Sequence, residues 1–127
     1  MCAESVTASG AEAVQPSRMG MYRMVANFTQ ADRPVYQLVG STISYLFYSA
    51  SAGDWRINGD VFLSGSCFVK STGNAEAACP DQATDWQTCT DGAWVSTYPI
   101  TVVQTPPTTP SLATVGRRSC YILMRPV

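Results

Sequence analysis

The sequence predicts an all-β fold, either a small antiparallel sandwich or a partly open barrel with flexible termini. Three observations carry that prediction. No stretch of ten residues keeps helical periodicity. Short apolar runs alternate with a period of two, and Gly, Pro and Asp turn signals separate them about every 8 to 12 residues. Aromatic residues make up 10% of the 127 positions, large side chains suited to filling a thin sheet core.

Residues 1–17 are small and polar and read as a leader or linker; they lack the basic start and apolar stretch of a secretory signal, so either the chain is a piece of a larger protein, which is the favoured expectation, or it is not secreted. A β module spans 18–103. Its first strand covers 19–26, with a break at 30–32. Residues 34–39 begin with a proline, which suits the start of a strand or an edge. Residues 42–49 give the strongest strand signal, with Ile43, Tyr45 and Phe47 on one face and Leu46 and Tyr48 on the other. Short strands follow at 55–58, 61–63 and 66–70, then a loop over 71–83. Asp91-Gly92 is a two-residue type I′ hairpin turn, which sets Cys89 opposite Trp94, Thr88 opposite Val95, and Trp86 on the other face. Residues 100–103 close the set. A Thr/Pro-rich linker and C-terminal segment occupy 104–127; within it Tyr121, Ile122 and Leu123 suit one more strand.

Charge narrows the function classes. Lys and Arg total 8 against 9 Asp and Glu, the net charge is −1, and histidine is absent. A nucleic-acid partner is not expected, because phosphate neutralisation needs clustered cations. The commonest general base and metal ligand is missing too. The longest apolar run, 43–48, is far short of a membrane-spanning helix, so no transmembrane segment is expected. No metal site and no cofactor is expected: the five cysteines contain no C-x-x-C pair, and no calcium-loop pattern occurs.

Gly20-Met21-Tyr22, Arg33-Pro34-Val35-Tyr36, Tyr45-Leu46-Phe47-Tyr48, Asp54-Trp55-Arg56-Ile57, Trp86 and Asp91-Gly92-Ala93-Trp94 follow one another in order. This order resembles an uncharacterised module of about 90 residues found in large extracellular and membrane proteins of algae, other plankton and marine invertebrates, with the pattern G-x-Y, N-G-R-P-V-Y, Y-L-Y-Y, W-x-I-G, W and D-G-x-x-W. The resemblance covers about residues 18–103. Ala31-Asp32 stands where the pattern has Asn-Gly, and the final spacing is one residue shorter. The resemblance implies a β building block used outside the cell and supplies no substrate.

Several residues are candidates for function. Trp55 or Trp94 is a candidate stacking platform, since a sugar ring packs its apolar face on an aromatic plane, and Tyr48 is a further ligand-binding candidate; the competing reading of each is core. Cys79 and Cys89 span a loop that a disulfide would close, with Cys67 as an alternative partner for either, and Cys2 or Cys120 as the expected odd thiol. Asn27-Phe28-Thr29 is a glycosylation sequon beside a turn, making Asn27 a candidate acceptor. Asp54, Asp60, Asp81, Asp85 and Asp91 sit at turn-like positions, which turn chemistry explains. Arg33 reads as a structural hydrogen-bonding residue.

The expected function is a non-catalytic extracellular or cell-surface module for recognition, adhesion or assembly, binding glycan or protein. The alternative is a structural subunit of a larger assembly. A carbohydrate hydrolase using paired aspartates is a third reading, and no enzyme is expected.

Overall fold

A computed structural model describes residues 1–59 and 68–106 of the chain. Among the described residues nine strands form one antiparallel sheet: β1 (Ser5–Ser9), β2 (Gly20–Gln30), β3 (Arg33–Leu38), β4 (Tyr45–Ser49), β5 (Asp54–Asn58), β6 (Val69–Gly73), β7 (Thr84–Thr90), β8 (Ala93–Val95) and β9 (Thr101–Gln104). From β1 to β8 each strand pairs with the next; β9 instead crosses to the far edge and pairs with β1. The sheet curls into a half-barrel. Of the two expected architectures, the partly open barrel is the one adopted.

Alternation along the strands separates an inner from an outer face. The inner face carries an apolar row from β3 to β6. Tyr36 stands opposite Leu46, Leu46 opposite Ile57, and Ile57 opposite Val69. With Val6, Tyr22, Trp55 and Trp86 these belong to one buried cluster. Each large side chain in it contributes about 1.5–3 kcal/mol relative to exposure. A smaller cluster, Val35 and Phe47 covered by Phe28 and Tyr45, lies on the outer face.

Both ends of the half-barrel are closed by irregular chain. Residues 10–19, with a 3-10 turn at Pro16–Arg18, cross one end. There Tyr22 Oη donates to the Arg18 carbonyl at 2.7 Å and lies 2.6 Å from Ser44 Oγ. The Arg18 guanidinium stacks 4.1 Å from the Phe68 ring centre. Residues 74–83, with a second 3-10 turn at Pro80–Gln82, close the other end. The Ala77 carbonyl is the anchor of that end, accepting from Trp55 Nε1 at 2.7 Å and from Arg33 Nε at 3.1 Å.

Residues 1–17, expected to be a leader or linker, are instead part of the domain. Ser5–Ser9 form β1 between β2 and β9, with Val6 and Ala8 buried. The run is small and polar because only alternate residues face the core and the neighbouring Tyr22 supplies the bulk. Gln104 likewise belongs to β9 rather than to a linker; residues 107–127 lie outside the described residues, as do Asp60, the expected strand at 61–63, and Cys67.

Two hairpins use the same turn chemistry with different residues. Asp91 and Gly92 have φ of 51° and 78°, and Cys89 pairs with Trp94 and Thr88 with Val95, as the sequence predicts. Ala31 and Asp32 have φ of 53° and 60° between the paired residues Gln30 and Arg33. This second turn is left-handed without a glycine or asparagine. Ile43 departs from the expectation of a strand beginning at residue 42. It is 61% exposed, because residues 39–44 form the β3–β4 turn, pinned by Ser41 N donating to the Leu38 carbonyl at 3.1 Å.

Candidate functional site on the outer sheet face

Of the three candidate ligand-binding aromatics, Tyr48 and Trp55 lie in the core. Tyr48 and Trp55 are cross-strand partners on the inner face, their ring centres 6.0 Å apart in an edge-on arrangement. Trp55 is fully buried and Tyr48 nearly so. Both are core residues, and neither presents a plane to a ligand. The Arg33 guanidinium seals the group, 3.7 Å from the centre of the Tyr48 ring, while Nη2 donates to the Glu76 carbonyl. Arg33 is thereby the hydrogen-bonding clamp the sequence suggests.

Trp94 is different. It stands on the edge strand β8 opposite Cys89, on the outer face, and is half-buried. Lys70 Nζ lies 4.5 Å from its ring centre and the Arg56 guanidinium 5.8 Å. The pairing registers explain the grouping: Arg56 is opposite Lys70, and Lys70 is opposite Gln87. A polar row thus runs across three strands beside the indole. Gln87 Nε2 donates to Ser96 Oγ at 2.8 Å, and Arg56 Nε donates to Asp54 Oδ1 at 2.7 Å. The sequence gives no sign of this row, because Arg56, Lys70 and Gln87 become neighbours only through strand register.

The disulfide framework also differs from the expected closure of the 79–89 loop. Cys79 is bonded to Cys2, 77 residues away in sequence. Cys89 is a disulfide cysteine as well. Five strand residues separate Cys89 from the start of β7, carrying it about 16 Å along the sheet from the closing loop that holds Cys79. Cys2, expected as a candidate odd thiol, is positioned by β1 beside that loop.

The aspartates divide by environment. Asp54 is buried and committed to Arg56. Asp91 serves the hairpin turn. Asp81 and Asp85 do share a cleft of about 280 Å³ between the start of β7 and β9, with Trp86, Ile100 and Val102 in its wall. Asp81 Oδ2 accepts from Gln104 Nε2 at 3.3 Å. Burial pushes the nearby Tyr36 phenol up to about 12, and the Asp81 charge adds to it. A larger cleft of about 460 Å³ lies beside the β3–β4 turn, lined by Arg23, Met24, Gln37, Leu38 and Ser41. Among the described residues no group of three His, Cys, Asp or Glu side chains is placed to hold a metal ion, and no helix is long and apolar enough to cross a membrane.

No family model, curated protein or solved structure matches the chain, so the case for its function rests on its own residues.

Proposed function

We propose that the chain is a non-catalytic extracellular recognition module that binds glycan through the outer sheet face around Trp94. The observation that carries this reading is the half-buried indole beside the cross-strand row Arg56, Lys70 and Gln87. An indole packs well against the apolar face of a sugar ring while its rim stays polar. Lys70 supplies a charge for a carboxylate or sulfate on such a sugar, and Gln87 supplies an amide for hydroxyls. The disulfides favour an oxidising compartment, where such bonds persist.

Calorimetry against a panel of neutral and acidic polysaccharides tests the reading. An acidic polysaccharide is expected to bind, and Trp94→Ala is expected to weaken it at least about tenfold, or about 1.4 kcal/mol. Equal binding by the variant, or no binding by any member of the panel, counts against it.

A structural subunit is the second reading, favoured by β9. Its outer edge has no partner strand among the described residues, and Val103 on it is 51% exposed. Unpaired strand edges are templates for association. Sedimentation equilibrium giving a monomer at all concentrations removes this reading.

A further inference from the structure

We propose that Asn27 is an N-glycosylation site and that the bulge in β2 is its presenting structure; the inference rests on the extracellular reading above. Asn27-Phe28-Thr29 is the single N-x-S/T sequon in the sequence. The sequon falls where β2 leaves the ladder. Met24 pairs with Tyr36 and Thr29 with Pro34, so residues 25–28 stand opposite Val35 alone. Three surplus residues cannot be absorbed by a paired strand, and the chain bows outward there. Asn27 has φ 59°, a left-handed conformation that asparagine tolerates better than most residues. Asn27 and Thr29 are both exposed, while Phe28 between them packs onto Val35 and Phe47 on the outer face. The Phe28 anchor fixes the bulge and directs the two sequon side chains away from it. Among the described residues the Asn27 carboxamide has no hydrogen-bond partner, so nothing is lost when it is substituted.

The modification is a group transfer from a lipid-pyrophosphate-linked oligosaccharide, catalysed by a host transferase. Asn27 Nδ2 attacks the anomeric carbon of the first sugar. A C–N bond forms, the anomeric C–O bond breaks, the lipid pyrophosphate leaves with the electron pair, and the amide gives up one proton to a base. Thr29 supplies the hydroxyl that the sequon requires at its third position.

The test is the intact mass of the full chain secreted from a eukaryotic host, before and after an amidase that cleaves the glycan–asparagine bond and leaves Asp at position 27. The expected result is a mass above that of the polypeptide, reduced by amidase treatment to that of the chain carrying Asp at position 27. The increment should be absent from Asn27→Asp and Thr29→Ala and present in Thr29→Ser. Asn27→Asp keeps a residue that tolerates the left-handed backbone, and Thr29→Ser controls for folding. A non-reducing peptide map of the same sample reports the Cys2–Cys79 bond independently. Unglycosylated protein with that bond formed overturns the inference and leaves the extracellular reading standing. Unglycosylated protein without it overturns both. An increment that survives Asn27→Asp assigns the sugar elsewhere and overturns the site.

Discussion

Cys2 and Cys79 are joined by a disulfide that ties the residue before β1's approach to the loop closing one end of the half-barrel, their Cα atoms 5.3 Å apart. The bond acts together with the Tyr36 hydroxyl, which donates to the Ala3 carbonyl at 2.6 Å. Both hold the leading residues of the chain against the sheet. A bridge across 77 residues removes much of the unfolded chain's freedom, a loop-entropy effect of about 4.5 kcal/mol. Cys2→Ala is therefore expected to lower unfolding free energy by an amount of that order in urea titration, with the Cys89 bridge intact. A loss under about 1 kcal/mol would show that β1 is held by its neighbours alone.

The two left-handed hairpin turns give a paired prediction. Asp32 is exposed with φ 60°, where glycine carries no Cβ penalty. Asp32→Gly is expected to stabilise by about 0.5–1 kcal/mol, raising Tm by about 3 °C. At the other hairpin a Cβ on Gly92 would meet nothing within 4 Å, yet its φ is 78°. Gly92→Ala should cost about 1 kcal/mol through the backbone alone. Thermal unfolding of both variants checks the opposite signs.

Stability should fall in alkali. Burial pushes the Tyr22 phenol up to about 12, opposed by its Ser44 hydrogen bond and the Arg18 charge, and burial raises Tyr36 to a similar value. Unfolded tyrosine titrates near 10. Between about pH 10 and 12 the unfolded chain therefore binds fewer protons than the folded one, and unfolding free energy drops as pH rises. The contribution is complete below pH 10 and lost through about 12. Urea titrations across that window should show the decline, steepest between the two values. Tyr22→Phe should flatten it. An unchanged slope in that variant would remove Tyr22 as its source.

Trp94 should be the tryptophan that solvent reaches. Trp55 is fully buried and Trp86 is 4% exposed. Acrylamide is expected to quench one class of tryptophan efficiently, and Trp94→Phe to abolish that class. Efficient quenching that survives the variant would mean that Trp55 or Trp86 is reached instead, and the outer face would lose its claim to be the aromatic surface.

The strand pattern and the hairpin at Asp91-Gly92 were legible in the sequence because period-two alternation and turn chemistry are local. So was the structural role of Arg33. The inclusion of residues 1–17 was not, since β1 owes its place to long-range pairing with β2 and β9 rather than to its own small side chains. The site was half legible: tryptophan and tyrosine marked Trp55, Trp94 and Tyr48 as candidates, yet nothing local distinguishes a core indole from a surface one.

Composition and short-range periodicity are enough to specify an antiparallel all-β domain with little charge, no histidine and one sequon. Long-range contacts set the other features. Curling of the sheet made one face a core and sent Trp55 and Tyr48 into it. Strand register brought Arg56, Lys70 and Gln87 beside Trp94. Closure of the end brought Cys2 to Cys79. Each is a contact between residues distant in sequence, fixed by how strands pair and not by what any one segment prefers.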